Sequence, residues 1–282
     1  MKLVTIATHS EGYFPFLLKS CQRFNVPLEV LGWGKKWQGY HWKILLVKEY
    51  IQGLPDDEIV CFIDAYDTIL LRPVEELEDA FQKIASITKT RIIVGCEQPV
   101  NIMYTTFAHW IFGKCYDKPI NSGTYIGTVK DIKTMTDDMM LLSSDPKSDD
   151  QIILRQYCTN NDGIMHIDCD NIFFLTIHNP FIDIQNKLLR VDNDVATNKP
   201  VLTYRGVQPF VLHGNGNTDM SNVIRKLNYE ITKEDANKIK MMNVSRALKK
   251  ILYYLQFFIA LILGLAIIVF IMICVRNRAR DY

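Results

Sequence analysis

The chain has 282 residues, of which 48% are hydrophobic, and its 32 basic and 31 acidic residues leave a net charge of +1. This length and apolar content are enough for one sizeable globular domain with a core of its own. Because there is no basic excess, the composition argues against a nucleic-acid partner.

The first 100 residues alternate between apolar strand-like runs and amphipathic helical segments. Strands are predicted over 3–8, 28–31, 59–63 and 91–96, and helices over 14–24, 41–51 and 74–84. This alternation predicts an α/β fold with a mostly parallel sheet and helices on both faces. Ligands of such sheets bind outside the carboxyl ends of the strands, so polar residues at those ends are the first candidates for a site.

Two carboxylates, Asp64 and Asp67, interrupt the apolar run 60–71 directly after the third predicted strand. Ionised carboxylates are costly in such a setting unless a positive group meets them. Carboxylate oxygens are the ligands that hard divalent cations prefer, and such a metal commonly completes its shell with substrate phosphates and water. The pair therefore indicates a metal-bound sugar-nucleotide diphosphate. The ordinary alternative is that both carboxylates cap a helix or turn after the strand.

Two polar clusters lie further along the chain. Residues 121–127, N-S-G-T-Y-I-G, predict a turn at which backbone amides approach a ligand closely, although a plain loop would explain the same composition. Asp149 and Asp150 precede an apolar helical stretch over 152–157, so stabilisation of a helix N-terminus explains them equally well.

His213 ends a predicted apolar strand and is followed by Gly214 and Gly216, which allow a sharp turn. A neutral imidazole is a competent ligand for Mn²⁺ as well as for softer metals. Taken alone, such a histidine is more often a hydrogen-bonded structural residue. Together with strand-end carboxylates elsewhere in the chain, it becomes a candidate third ligand.

Two other enzyme classes fit parts of the pattern. His166, Asp168 and His213 have the H-x-D…H form of the facial triad of Fe(II) oxygenases, which would use 2-oxoglutarate. That triad belongs to an all-β jelly roll, whereas this chain is predicted to be α/β, so the oxygenase ranks lower. An aspartyl phosphatase also uses a strand-end aspartate, but its second carboxylate stands two residues on, whereas Asp67 stands three after Asp64.

The C-terminal run 251–275 is apolar apart from Gln256 and has basic residues on both sides. Its length predicts a membrane-spanning helix, a single C-terminal anchor, since the N-terminus lacks the apolar core of a secretory signal. The predicted organisation is a catalytic domain over 1–230, a basic juxtamembrane segment over 231–250, the span, and a short basic tail over 276–282. The excess of basic residues before the span places the large domain on the cytoplasmic side.

Six cysteines precede this run, none of them in a C-x-x-C pair and several within apolar stretches. Scattered cysteines of this kind predict buried free thiols in a reducing compartment. They are Cys21, Cys61, Cys96, Cys115, Cys158 and Cys169.

The order and spacing of six short motifs resemble the glycosyltransferase domain of the multifunctional procollagen lysyl hydroxylases and its stand-alone viral relatives. The resemblance covers roughly residues 2–230. Its motifs are V-T-I-A-T at 4–8, L-G-W-G-K-K-W at 31–37, F-I-D-A-Y-D at 62–67, N-S-G-T-Y-I-G at 121–127, D-D-Q at 149–151 and H-G-N-G at 213–216.

This resemblance implies a GT-A type, Rossmann-like nucleotide-sugar domain in which Asp64, Asp67 and His213 hold Mn²⁺, or another divalent cation, against the diphosphate of a UDP-sugar. The implied reaction transfers glucose or galactose to an acceptor hydroxyl, with Asp149 or Asp150 orienting or deprotonating that hydroxyl. In the family, the acceptor is hydroxylysine or its galactoside in collagen-like chains. Pairing of two copies into a homodimer is left open.

Matching residue by residue assigns the remaining positions of the implied site. Trp37 and Tyr66 would pack on the uracil, Ile6 and Thr8 would line the uridine site, and Lys43 would lie near the donor. Asn215 and Gly216 would offer groups to the diphosphate. The sugar and acceptor side would be lined by Asn121, Asp149, Asp150 and Gln151.

The chain departs from the family pattern in two places. Asp219 stands six residues after the predicted metal-binding histidine, where the family usually has a lysine that reaches the diphosphate. Arg225 or Lys226 would then have to supply the missing cation. The glycine-rich stretch before Lys43 is also shortened, to G-Y-H-W at 39–42. These departures leave a second possibility, a membrane-tethered UDP-sugar-binding module without turnover.

Overall fold

The computed structural model describes residues 1–97, 115, 120–145, 148–161, 163–178, 188–195, 199–216 and 218–241, and a few helical positions between 244 and 267. The chain divides into two compact units, Met1–Ile239 and Lys240–Tyr282. The predicted boundary at residue 230 stays a prediction.

The first unit has the predicted alternation of strands and helices. Its strands are β1 (Lys2–Ile6), β2 (Leu28–Leu31), β3 (Ile59–Ile63), β4 (Thr68–Leu70), β5 (Ile92–Cys96), β6 (Ile120–Thr128), β7 (Met165–Asp168), β8 (Phe174–His178), β9 (Leu189–Asn193), β10 (Pro200–Tyr204) and β11 (Val211–Asn215). Its helices are α1 (Phe14–Arg23), α2 (Tyr40–Ile51), α3 (Val74–Thr88), α4 (Val129–Leu142), α5 (Asp150–Asn160) and α6 (Ser221–Lys226). The α/β prediction is confirmed, and every element predicted in the first 100 residues is present.

Six strands form the main sheet in the order β2-β1-β3-β6-β5-β7. The pairs β1–β2, β1–β3 and β5–β7 are parallel, as predicted, but β6 runs antiparallel to both of its neighbours. The predicted turn over 121–127 is therefore wrong, because these residues belong to a strand in the middle of the sheet. Their small side chains fit a strand that is buried along nearly its whole length.

Alternate residues of β3 feed two hydrophobic clusters, which places β3 in the core with both faces covered. Val60 and Phe62 pack with residues of α2, α4 and α5, while Cys61 and Ile63 pack with residues of α1, α3 and β11. Burial on both faces explains why the strand is apolar throughout and why the polar residues appear only where it ends.

A smaller sheet, in the order β4-β11-β8, brings the C-terminal part of the unit back to the end of β3. Strand β11 pairs antiparallel with β4, and His213 lies opposite Thr68 in this register. Since β4 begins just after Asp67, this pairing carries His213 to the acidic pair from 146 residues further along the chain.

The prediction of six free thiols is wrong for four of the cysteines. Cys96 is bonded to Cys169, and Cys115 is bonded to Cys158, whereas Cys21 and Cys61 are free and buried. The first bond follows from strand pairing: Gly95 is in register with Asp168, so the next residue of each strand lies beside the other. The cysteine spacing alone did not reveal partners 73 and 43 residues apart.

The predicted transmembrane helix over 251–275, and with it the single-pass membrane anchor and the cytoplasmic orientation, is overturned. Within the part of the chain that the structure describes, no helix is both long enough and apolar enough to cross a bilayer. A span needs about 20 consecutive helical residues. Residues 268–282 lie outside the description.

Candidate active site

Asp64 and Asp67 lie in the short connection between β3 and β4, at the carboxyl end of a central strand of the sheet. The backbone N–H of Asp64 donates to the carbonyl of Gly123 at 2.8 Å. The backbone carbonyl of Asp67 accepts from the N–H of Gly214 at 2.7 Å, which joins this connection to β11. Asp67 is buried, whereas about a third of the Asp64 side chain is exposed.

The imidazole of His213 faces both carboxylates from β11. Its Nε2 lies 3.4 Å from Oδ1 of Asp67 and 3.9 Å from Oδ2 of Asp64. Burial alone would lower the pKa of His213, but the carboxylates of Asp67 and Asp64 outweigh that effect and raise the pKa above its ordinary value. The side chain is 1% exposed, and neither ring nitrogen has a hydrogen-bond partner among the described residues.

These three side chains fit a divalent cation. Each offers one ligand atom, and the three atoms lie within 4.8 Å of one another. An imidazole buried without hydrogen bonds is costly, and a metal ion would satisfy it. Two carboxylate oxygens and one imidazole nitrogen form a donor set suited to ions such as Mn²⁺.

Gly123 forms the wall of this group, a role that the sequence did not indicate. A Cβ at this position would lie 2.5 Å from Oδ2 of Asp64, 2.5 Å from Cε1 of His213 and 3.0 Å from Oδ1 of Asn121. The two ligands can thus approach β6 this closely because the residue there has no side chain. The glycine of the N-S-G motif thus lets two side chains lie close to a strand, whereas the predicted approach of backbone amides to a ligand stays a prediction.

Lys43, on α2, lies buried between two carboxylates. Its Nζ is 2.8 Å from Oδ1 of Asp64 and 2.8 Å from Oδ2 of Asp150, and it donates to the carbonyl of Ser122 at 3.4 Å. Burial alone would lower the pKa of Lys43, but Asp150 and Asp64 outweigh it and raise the pKa above its ordinary value. Lys43 therefore stays charged and links the candidate metal group to the start of α5.

The two adjacent aspartates at that helix start behave differently. Asp149 is the N-cap, accepting the N–H of Gln151 at 2.8 Å and of Ile152 at 3.4 Å, so the capping explanation holds for it. Asp150 is buried and pairs with Lys43. The catalytic roles of both remain predictions.

Glu97, which sequence reasoning missed, gathers three of the predicted site residues. Its Oε1 accepts from Nδ2 of Asn215 at 2.6 Å, from Nε2 of Gln151 at 3.1 Å and from Nδ2 of Asn121 at 3.4 Å. Glu97 directly follows β5, so the strand-end rule applied to Asp64 could have found it. Gly216, predicted beside Asn215, comes directly after β11 with a φ of 71°.

The residues predicted to bind uridine fall into two groups. Ile6 ends β1, and just beyond it the N–H of Thr8 donates to the hydroxyl of Tyr66 at 2.9 Å, so these three lie together near Asp64 and Asp67. Trp37 instead makes edge-to-face contacts with Tyr40 at 5.8 Å and Trp42 at 5.7 Å, and it is 43% exposed.

Asp219, which replaces the family lysine, holds a turn in place through hydrogen bonds. Its Oδ1 accepts from the hydroxyl of Tyr13 and from the N–H of Ser221, both at 2.9 Å, and the N–H of Met220 donates to the same hydroxyl at 2.8 Å. Partial burial tends to raise the pKa of Asp219, but the hydrogen bonds from Ser221 and Tyr13 and the charge of Arg225 lower it overall. The carboxylate therefore fixes the turn that leads into α6.

The structure argues against the alternative iron site of His166, Asp168 and His213, because the carboxylate of Asp168 is used elsewhere. Asp168 is fully buried and accepts the backbone N–H groups of Ile172, Phe173 and Phe174 at 3.0, 2.7 and 2.8 Å. Its oxygens are thus used by the turn after β7. Among the described residues, the grouping that could hold a metal is Asp64, Asp67 and His213.

The chain is 25% identical over 231 residues to a Caenorhabditis elegans multifunctional procollagen lysine hydroxylase and glycosyltransferase, across 76% of this chain and 30% of that protein. It is 24% identical over 249 residues to human multifunctional procollagen lysine hydroxylase and glycosyltransferase LH3, across 80% and 30%. The chain thus spans about 30% of the length of these curated relatives.

A crystal structure of mouse xyloside xylosyltransferase 1 in its apo form is similar with a TM-score of 0.45 and 14% identity, over 77% of this chain and 98% of that chain. The family model described as the PLOD GT domain matches residues 1–236. Since that match takes in the whole of the sheet and the candidate site, the chain belongs to the PLOD GT domain family of glycosyltransferases.

Proposed function

We propose that this chain is a divalent-metal-dependent transferase that moves a hexose, glucose or galactose, from a UDP-sugar to an acceptor hydroxyl. The observation that carries the proposal is the convergence of Asp64, Asp67 and His213, with an imidazole that is buried and has no hydrogen-bond partner among the described residues. Mn²⁺ or another divalent cation would satisfy that imidazole and offset the two carboxylates, and the diphosphate of UDP would complete its coordination.

The bound metal would supply Lewis-acid stabilisation of the negative charge that develops on UDP as the glycosidic bond breaks. The two oxygens of Asp64 face different side chains, which leaves one of them for the proposed metal ion. Oδ1 is held by Lys43 at 2.8 Å, while Oδ2 lies on the side of His213. Lys43 thus fixes the orientation in which Asp64 offers its second oxygen to the cation.

The acceptor would approach the first turn of α5. Asp150 is held there by Lys43, and Asp149 is exposed beside it. Either carboxylate would orient the acceptor hydroxyl or take its proton, a contribution that is typically about 10²–10⁴-fold. Because the relatives are named as procollagen lysine hydroxylases and glycosyltransferases, we propose hydroxylysine or galactosyl-hydroxylysine of a collagen-like protein as the acceptor.

The nucleoside would occupy the side of the site formed by Ile6, Thr8 and Tyr66. The hydrogen bond from the N–H of Thr8 to the Tyr66 hydroxyl holds the tyrosine ring in place there. Trp37 would contribute a stacking surface from its exposed position on the connection before α2. Asn215 and Gly216, at the end of β11, would meet the diphosphate.

The test is UDP release from UDP-glucose, UDP-galactose and UDP-xylose, with and without Mn²⁺, using collagen-like peptides as acceptors. Asp64→Ala should lower Mn²⁺-dependent turnover by on the order of 10³-fold, since metal stabilisation of transition-state charge is worth several kcal/mol. Asp137→Ala, which removes a carboxylate paired with Lys48 at 2.7 Å on the surface, is the matched control and should leave turnover unchanged. Metal-independent turnover in the wild-type protein would contradict the proposal.

A UDP-sugar-binding module without turnover is the second candidate, and one observation favours it. Asp219 takes the place of the family lysine and is committed to Tyr13 and Ser221, so it offers the departing phosphate no positive charge. Its signature would be Mn²⁺-dependent UDP-sugar binding without UDP release in the presence of acceptor. The same assay, paired with calorimetric titration of the UDP-sugar, separates the two candidates.

A further inference from the structure

Glu97 connects four elements of the site through a single oxygen. It follows β5, and its Oε1 accepts amide N–H groups from Asn121 on β6, Gln151 on α5 and Asn215 on β11. The three bonds range from 2.6 to 3.4 Å. No other described carboxylate collects side-chain amides from three separate elements.

The chemistry of a carboxylate sets the orientation of all three amides. An ionised carboxylate can only accept, so each amide must turn its NH₂ group towards Glu97 and its oxygen away. For Asn121 the consequence is visible: its Oδ1 accepts the backbone N–H of Gly123 at 2.9 Å. Without the carboxylate, this bond alone would hold the amide, and its NH₂ group would have no partner among the described residues.

The bond to Gly123 leads directly to the candidate metal ligands. The carbonyl of Gly123 accepts the N–H of Asp64 at 2.8 Å, and its Cα faces Asp64 and His213 so closely that a Cβ would lie 2.5 Å from each. From the other side, Asn215 stands two residues after His213 on the same strand. Glu97 is therefore connected to the ligand group through β6 and through β11.

The Glu97 carboxylate is not needed to hold the end of β5 in place, because a disulfide bond already does so. The neighbouring Cys96 is joined to Cys169, so the end of β5 is held covalently beside the turn after β7. Loss of the Glu97 carboxylate should then leave the strand in place and release the three amides.

We propose that Glu97 is a positioning residue for the Asp64, Asp67 and His213 group, acting through Asn121 and Asn215. The inference rests on the proposed function in that it takes a divalent cation as the group's ligand. Hydrogen-bonded partners of metal ligands typically contribute about 10–100-fold in metal affinity or activity. We expect Glu97→Ala to weaken Mn²⁺ binding by about that factor while Asp64→Ala abolishes it.

The experiment measures Mn²⁺ affinity by electron paramagnetic resonance in the presence of UDP, with thermal unfolding as a check on the fold. Glu97→Gln should weaken binding about 10-fold, because one amide group cannot hold three others in the same orientation. Gln151→Glu should also weaken binding, since it places two carboxylates in contact. The double variant restores one carboxylate–amide pair but leaves Asn121 and Asn215 facing an amide, so its affinity should stay at least as low as that of Glu97→Gln.

Glu76→Gln is the matched control, because Glu76 pairs with Arg72 at 2.6 Å on an exposed helix face away from the site. It should bind Mn²⁺ as the wild-type protein does. If the Glu97 variants also bind like wild type, or if the double variant recovers wild-type affinity, the positioning role through Asn121 and Asn215 is overturned while the proposed function stands. If the wild-type protein itself binds no Mn²⁺, the proposed function falls, and the positioning role falls with it.

Discussion

Lys43 and His213 are both buried and both face Asp64, but their surroundings differ. Lys43 is paired at 2.8 Å with both Asp64 and Asp150, so its charge is balanced within the protein. His213 faces Asp64 and Asp67 at 3.9 and 3.4 Å, and its ring nitrogens have no hydrogen-bond partner among the described residues. The lysine side is therefore complete by itself, whereas the histidine side fits the divalent cation that we propose.

Removing the balanced charge should produce the largest stability effect. Lys43→Met leaves two carboxylates near each other without their counter-ion, so the free energy of unfolding should fall by about 3–5 kcal/mol. Denaturant titration followed by circular dichroism measures this. Lys48→Met, which breaks the partly exposed pair with Asp137, should cost less than about 1 kcal/mol. Equal losses in the two variants would contradict the distinction between a buried and a surface pair.

On the histidine side, filling the space next to the ligands should affect binding more than folding. Gly123→Ala places a methyl group 2.5 Å from Asp64 and His213, which must then move apart. We expect Mn²⁺ affinity to fall about 10-fold or more, with a stability loss of about 1–3 kcal/mol from overpacking. Gly53→Ala is the control, since a Cβ there meets no atom within 4 Å. Unchanged Mn²⁺ binding in Gly123→Ala would show that the ion, if bound, lies elsewhere.

The smallest effect should come from Asp219, a carboxylate outside both groups. Its pKa in the folded protein is lowered, so it stabilises the fold at pH values above its unfolded-state pKa, which is near 3.8, and this contribution is lost as the pH falls through the folded value. Because the side chain is largely exposed, Asp219→Asn should cost only about 0.5–1 kcal/mol at pH 7. The gap between variant and wild type should narrow as the pH is lowered below 3.8. A gap that is independent of pH would argue against the ionised form as the acceptor from Tyr13 and Ser221.

Much of the fold and the ligand group could be predicted from the sequence because both follow from local pattern. The strands and helices of the first 100 residues have clear periodicity, and Asp64 and His213 stand where apolar runs stop. Strand-end position made both of them candidates, but they meet through the antiparallel pairing of β11 with β4 and not as neighbouring parallel strands of one sheet.

The remaining features depend on pairings between distant residues, which composition does not carry. Strand β6 is rich in small residues, which is also the composition of a turn, and it was therefore predicted to be one. Its place and direction in the sheet depend on pairing with β3 and β5, which the composition does not show. The bond from Cys96 to Cys169 depends on the register of β5 with β7. The strand-end position of Glu97 was visible in the sequence, but its three amide partners come from distant parts of the chain and were not.

The prediction of a membrane span over 251–275 was wrong for a different reason. Hydropathy reports the preference of a segment for an apolar environment and not the structure that it adopts, and within the described residues no helix of sufficient length and apolarity was found.

The reversed direction of β6 places both ends of the connection that precedes it on one side of the sheet. The chain leaves the sheet at Glu97 and re-enters it at Ile120, and because β5 and β6 are antiparallel neighbours, both points lie at the same edge as the candidate ligands. Cys115, within that connection, is bonded to Cys158 on the helix that begins at Asp150. Insertions or deletions between these two points would leave every described strand pairing unchanged, so the connection can vary in length without altering the sheet that carries the candidate ligands.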